Sequence, residues 1–336
     1  MPDRLAFLPV CLTAGHAGPV DPLSDVLSVS GVRGALGNRV EAGGTWATVL
    51  DHDPEVAALH TVTAGTAWLT VPGREPLELG TGDVVLLGAG VPHTLGDSPR
   101  TPGARCDRSA ATRRGLSGEV LTLGSAPATT HVVTIAYTCD RTALTQVMVG
   151  LPDLLHIAAT AGATGLDDTV RMLRSELANP QIATTAVLSS LVDVVLVQVL
   201  RAWLASRPAT CQGTWLAMAA DPVVGEALAR IHADPARAWT TSSLAASIAV
   251  SRATLARRFP AVIGQTPAAY LSTWRMDLAA VRLREGHEAI EVIAPAVGYT
   301  SVPAFTRAFT RAHGRTPGRY RTEFRRTVQP RERATA

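Results

Sequence analysis

The spacing of apolar positions changes character along the chain. Between residues 31 and 150 the apolar stretches are short, as in TAWLTV and DVVLL, and they end at VPG, GTG and GAG. Short apolar stretches punctuated by Gly and Pro predict closely spaced antiparallel strands in a barrel or sandwich. Residues 100–128 are rich in Pro, Gly, Arg and Ser and predict a long mobile loop. From 153 to 206 the period lengthens. Leu188, Leu191, Val192, Val195, Leu196, Val199 and Trp203 recur at three- and four-residue intervals, the stripe of an amphipathic helix over 181–206. Val187, Val194 and Val197 widen that stripe beyond one face. Such a helix needs more than one partner: its own β-domain on one side and a second subunit on the other, or burial on all sides within its own domain. SRPATCQG then reads as an exposed linker, and residues 222–326 as helical throughout, with Ser, Thr or Asp at starts and Gly or Pro at ends.

Within the helical region one pattern occurs twice. In TTSSLAASIAVSRATLARRF, Leu244, Ala245 and Ile248 fit a short helix, Ala249-Val250 a turn, and Ser251 a cap opening a second helix. Leu255 and Phe259 point inward, leaving Arg252, Ala253, Thr254, Arg257 and Arg258 outside. In AIEVIAPAVGYTSVPAFTRAFTRAHGRTPGRYR, Ile290, Ile293 and Val297 form the stripe, Gly298-Tyr299 the turn and Ser301 the cap. Pro303 is tolerated in a first helical turn, and Phe305 and Phe309 point inward. Thr306, Arg307 and Arg311 lie elsewhere on that helix. A long helix between the units carries Leu271, Trp274, Leu278, Val281 and Leu283 as its core positions. A short helix, a tight turn and a second helix exposing Arg and Thr is the geometry that enters a DNA major groove.

Charge agrees with that reading. All 31 basic residues are Arg. Residues 1–220 carry 14 Arg against 19 acids, a net of −5, and residues 221–336 carry 17 against 9, a net of +8. A basic module joined to an acidic one suits a nucleic-acid binder with an attached control domain. The four cysteines form no CxxC pair, consistent with a reduced cytoplasm. No uninterrupted apolar run approaches the twenty or so residues of a membrane span, and no membrane partner is expected.

Residues 222–322 resemble the C-terminal module of AraC/XylS-type regulators through SRATLARRF, GQTPAAYLSTWRMDLA, VGYTS and AFTRAFTRAHGRTPGRYR. The resemblance implies that helices near 251–260 and 301–311 read DNA, with Arg252, Thr254 and Arg257 in the first and Val302, Ala304 and Arg307 in the second. Arg307 has an alternative use as a brace paired with an acid. Arg319, Arg321, Arg325 and Arg326 are expected on phosphates rather than bases. Two departures stand out: Ala249 replaces a Gly frequent in relatives, and Pro295 falls inside the helix before VGYTS.

HTVTAGTAWLTVPGREPLELGTGDVVLLGAGVPHTL resembles a cupin-like sensor domain in His60 before a strand, Gly82-Asp83 and Pro92-His93, and LPDLLHI at 151–157 resembles its closing segment. His60 and His93 are candidates for a ligand or metal pocket, with His131 a distant third, although the HxH pair of metal-binding cupins is missing. Some relatives sense oxidants through a Cys before a Gly, a pair that aligns here with Ile135-Ala136. Cys139 follows shortly, and Cys106 lies among arginines that would favour its thiolate, so both are redox candidates, with incidental thiols as the plainer reading.

The expected fold is therefore α+β with two domains: an N-terminal cupin-like β-barrel with linker helices and a C-terminal all-α double helix-turn-helix. The boundaries are 1–21 extension, 22–152 sensor, 153–206 linker and dimerisation helices, 207–221 linker, 222–326 DNA-binding domain and 327–336 tail. The expected function is sequence-specific regulation of transcription under a small-molecule or stress signal. Its expected partners are promoter double-stranded DNA, a second copy through helix 181–206, an effector, and RNA polymerase, in the cytoplasm at the nucleoid. The alternative is a metal-dependent cupin dioxygenase or isomerase with an appended helical domain. That reading lacks a complete metal triad, and the chain carries no P-loop, dinucleotide fingerprint or nucleophile–base motif.

Overall fold

The computed structural model describes residues 32–50, 56–105, 120–138, 152–159, 164–206 and 221–324. Strand β3 (Val56–Ala64) explains why alternation is weak in the first half of the chain. In VAALHTVTA every residue from Ala57 to Thr63 is buried, because both faces of the strand are covered. A strand covered twice reads as a continuous apolar run.

The strands before β3 are β1 (Arg33–Gly43) and β2 (Ala47–Leu50). After it come β4 (Ala67–Thr70), β5 (Leu77–Leu79), β6 (Val84–Leu87), β7 (His93–Gly96), β8 (Ala104–Arg105), β9 (Val120–Gly124), β10 (Thr130–Thr138) and β11 (Leu154–Ile157). One sheet runs β11–β6–β3–β10–β1–β9 and the other β5–β4–β7–β2–β8. Among the described residues no strand of one sheet pairs with a strand of the other. The expected barrel is thus an open pair of facing sheets, since a barrel requires its edge strands to join in one ladder. Three other expectations change. Strands β8 and β9 occupy parts of the expected loop 100–128, each as a parallel edge partner of β2 or β1. Strand β11 lies inside the expected helical stretch 153–206 and pairs with β6. His60 lies within β3, not before it.

The six-stranded sheet is the middle of three layers. One face sets Val40, Val62, Val85, Leu87 and Val132 against Leu69, Leu79 and Leu95 of the second sheet. The other sets Leu59, Leu86, Val133, Ile135 and Tyr137 against helices α1 (Thr164–Ala178) and α2 (Thr184–Ser206). The seven stripe positions from Leu188 to Trp203 are all buried. Each such aliphatic side chain contributes about 1.5–3 kcal/mol by leaving water. Gly34 lets β1 approach α2, since a Cβ there would stand 2.2 Å from Val192 Cγ1. Beside it the buried Tyr137 hydroxyl donates to the Val192 carbonyl at 2.7 Å. Val187 and Val194, on the outward side of α2, are 40% and 42% exposed. Contrary to the expectation from uninterrupted runs, α2 is long and apolar enough to cross a membrane by length and composition. Its many Val and Leu residues keep the average high although Asp193, Gln198 and Arg201 interrupt it. Its buried stripe against α1 and β1 is core packing, while part of its apolar surface, Val187 and Val194, faces outward.

The second half holds α3 (Pro222–Ala233), α4 (Thr241–Ser247), α5 (Arg252–Ile263), α6 (Pro267–Glu285), α7 (Ile290–Ala296), α8 (Val302–His313) and α9 (317–324). Asp221, Thr240, Ser251, Thr266 and Ser301 cap α3, α4, α5, α6 and α8 through side-chain oxygens that accept from first-turn amides. Gly264 and Gly314 close α5 and α8 at φ 79° and 69°. Helix α6 serves both units. Tyr270, Leu271 and Trp274 join Leu228, Leu244, Leu255 and Phe259 in the first core, while Met276, Ala279 and Leu283 join Ile293, Phe305, Phe309 and Tyr320 in the second. At 19 residues α6 spans about 28 Å, the same order as the roughly 34 Å between successive major grooves.

Candidate nucleic-acid interface

Each unit presents its second helix through the same device. Ser251 Oγ accepts from the Thr254 amide at 3.0 Å and lies 2.8 Å from Thr254 Oγ1. Leu255, Phe259 and Ile263 then turn inward, one per turn of α5. Arg252, Ala253, Ala256 and Arg257 are exposed, and Thr254 is half-buried. In the second unit Ser301 Oγ accepts from the Ala304 amide at 3.3 Å. Phe305, Phe309 and His313 are buried, Arg307 and Arg311 are exposed, and Val302, Ala304 and Thr306 are half-buried. Among the described residues Arg252, Arg257, Arg307 and Arg311 form no ion pair, so the brace considered for Arg307 is not made there.

Three other candidate arginines, Arg258, Arg319 and Arg321, are engaged inside the chain. Arg258 was expected on the outer face with Arg257. It is half-buried, and its Nε and Nη2 each reach Asp221 Oδ2 at 2.9 Å. Asp221 is the cap of α3, so Arg258 ties α5 to the start of that helix. The six-residue step from Arg252 to Arg258 turns the side chain by about 240° round the helix, to the packed side. Arg319 Nε donates to Glu323 Oε1 at 2.7 Å while remaining exposed, and Arg315 pairs with the same carboxylate. The hydrogen bond from Arg319 and the charge of Arg315 hold the Glu323 carboxyl below its ordinary range. Arg321 Nη2 donates to the Glu288 carbonyl in the loop before α7. Arg325 and Arg326 lie outside the described residues.

The turns differ as the sequence suggested. Ala249 adopts φ 55°, the left-handed conformation that Gly298 takes at φ 84° in the second unit. Pro295 is the penultimate residue of the short α7, where the helix ends in any case, and Val297 N still donates to Ile293 O at 3.1 Å. Residues that sequence reasoning passed over are Asp221, Arg275 and Asp277. Only Asp221, directly before Pro222, carries a local signal, that of a capped helix start.

In the β-domain His60 of β3 and His93 of β7 meet between the sheets, Nε2 to Nε2 at 2.8 Å. That is a hydrogen-bond separation. A metal bound at about 2.0–2.1 Å to both nitrogens in a tetrahedral site needs them more than about 3 Å apart. Among the described residues no group of three His, Cys, Asp or Glu could hold a metal. The pair as arranged does not fit a metal. His131 is half-buried on β10 and stands outside the pair. Asp83 of the Gly82-Asp83 turn accepts from the Gly80 and Ala159 amides at 3.0 and 2.8 Å, fastening the segment after β11. Cys106 and Cys139 lie outside the described residues.

Comparison with known proteins accords with this construction. A cupin family model matches residues 21–205, and a helix-turn-helix domain model matches 244–323. A putative AraC-like transcription regulator of Streptomyces lividans is 38% identical over 298 residues, covering 86% of this chain and 94% of that protein. The HTH-type transcriptional regulator AlkR of Acinetobacter baylyi is 27% identical, covering 84% of this chain and 93% of its own. Among solved structures, the DNA-binding domain of AdpA in complex with a target DNA shares 27% identity over 32% of this chain and 96% of its own, with a TM-score of 0.31. These relatives are regulators, and the enzymatic alternative is set aside. With a cupin-like domain ahead of paired helix-turn-helix units, the chain belongs to the AraC-type family of DNA-binding transcription regulators.

Proposed function

We propose that the chain reads promoter double-stranded DNA with two helices at once, α5 through Arg252, Thr254 and Arg257 and α8 through Val302, Ala304 and Arg307. The observation that carries this reading is the repeated Ser-capped helix, fifty residues apart, whose exposed arginines have no partner acid among the described residues. Arg311 and Arg319, both exposed, contact phosphates, which positions the protein without reading sequence. Two copies associate through the outward face of α2, where Val187 and Val194 are exposed. An effector acting on the β-domain, which underlies α2, alters that association by binding one state better than the other. The protein works in the cytoplasm, and RNA polymerase meets it at the promoter.

The test is fluorescence anisotropy on a duplex selected by the protein from a random pool. Tight binding that weakens steeply with salt supports the reading, because each neutralised phosphate contributes a slope of about −0.9. Absence of salt-dependent binding to any duplex rejects it. For the dimer, Val194→Arg should convert the solution species to monomer in light scattering, and an unchanged mass removes α2 from the interface.

A further inference from the structure

The two readers must be held at one separation if both are to enter the same duplex. The hydrophobic cores of the two units form separate clusters, linked through α6. A direct link between the units occurs at one guanidinium. Arg275, midway along α6, donates from Nε to the Pro235 carbonyl at 2.7 Å and from Nη2 to the Ala236 and Arg237 carbonyls at 3.3 and 2.9 Å. Those carbonyls belong to the loop between α3 and α4, in the first unit. The same guanidinium touches the second unit. A Cβ on Gly298 would stand 2.6 Å from Arg275 Nη2 and 2.8 Å from the Ala236 carbonyl, so the turn before α8 lies flush against both. Arg275 Cζ also lies 5.9 Å from the centroid of the Tyr299 ring.

We propose that Arg275 is a positioning residue that sets the separation of α5 and α8, and thereby the spacing between the two DNA segments this chain accepts. The proposal rests on the two-reader function above. A rigid planar fork can serve several carbonyls while its flat side bears a glycine turn, which a single ammonium on a flexible stem cannot do. One base pair of added spacing moves a groove by about 3.4 Å and rotates it by about 35°, so small changes in reader placement are visible in DNA preference.

The experiment uses the full chain and a family of duplexes. Each carries the two protected segments of a selected site, with one base pair inserted or deleted between them or with one segment scrambled. Wild-type protein should bind best at one spacing. Arg275→Gln should lose about tenfold at that spacing, keep its affinity for the scrambled duplex within about twofold, and discriminate poorly among spacings. Arg275→Lys should fall between them, and Gly298→Ala should also disturb the spacing profile. Thermal unfolding of each variant checks that the module remains folded. A variant that is folded and keeps the wild-type spacing profile overturns the assignment, as does equal loss on every duplex. A wild-type protein that binds but ignores spacing removes the two-reader function itself, a result distinct from any behaviour of the variants.

Discussion

His60 and His93 clasp the two sheets of the β-domain together, and their neighbours order the protons between them. His93 Nδ1 lies 2.9 Å from the Val91 carbonyl, which can only accept, so His93 Nε2 is the acceptor of a neutral ring. His60 Nε2 then donates across the 2.8 Å gap, and His60 Nδ1 accepts from Thr134 Oγ1 at 2.9 Å. Hydrogen bonds thus run from β10 through β3 to β7, across the interior. Removing one ring takes a hydrogen bond from a buried nitrogen of the other at a cost of about 1–3 kcal/mol, whereas replacing both by apolar groups avoids that penalty. His60→Leu should therefore destabilise the protein more than His60→Leu with His93→Leu. Urea denaturation of the two variants checks this, and additive losses would contradict it.

A second prediction concerns acidity. Burial pushes the Asp277 carboxyl up to about 8, against the opposing pull of Arg284. The folded chain then keeps a proton that the unfolded chain releases above the ordinary value of 3.8. The stabilisation is complete below that value and declines as pH rises towards about 8. Asp277→Asn, which needs no proton, should raise the unfolding midpoint more at about pH 8 than at about pH 5. Denaturation curves at both values measure the difference, and a gain confined to the acid side would reverse the assignment.

Ala249 gives a third. Its φ of 55° suits glycine, as Gly298 shows at the matching turn. Ala249→Gly should stabilise the first unit by about 0.5–1 kcal/mol, less the added freedom of the unfolded chain. The prediction is checked by the denaturation midpoint, with DNA affinity unchanged.

Neighbouring arginines on α5 should separate cleanly. Arg257→Ala should leave stability unchanged and relax preference at one base pair by about 1–3 kcal/mol if its contact is bidentate. Arg258→Ala should lower stability by up to about 1 kcal/mol through loss of its half-exposed pair with Asp221. Binding and unfolding measured on both variants would expose any exchange of roles.

The helical half was legible because its information is local. Ser251 and Ser301 cap helices whose inward positions, Leu255 with Phe259 and Phe305 with Phe309, recur at a four-residue interval. The β-half was less legible. Strand β3 hides its alternation because both faces are covered, and the parallel edge pairing of β9 with β1 joins segments some eighty residues apart. Arg258 and Arg275 illustrate the limit most plainly. An arginine facing out and one bound to a distant carbonyl or carboxylate look alike in sequence, since the partner, 37 residues away for Arg258 and 40 for Arg275, is chosen by tertiary packing.

Two-helix reading is tested most directly by a hydroxyl-radical footprint of the full chain on its selected duplex, with Arg257→Ala and Arg307→Ala alongside. Two protected segments about one helical turn apart are expected, with each substitution weakening a different one. A single protected segment, or two that ignore both substitutions, would contradict it.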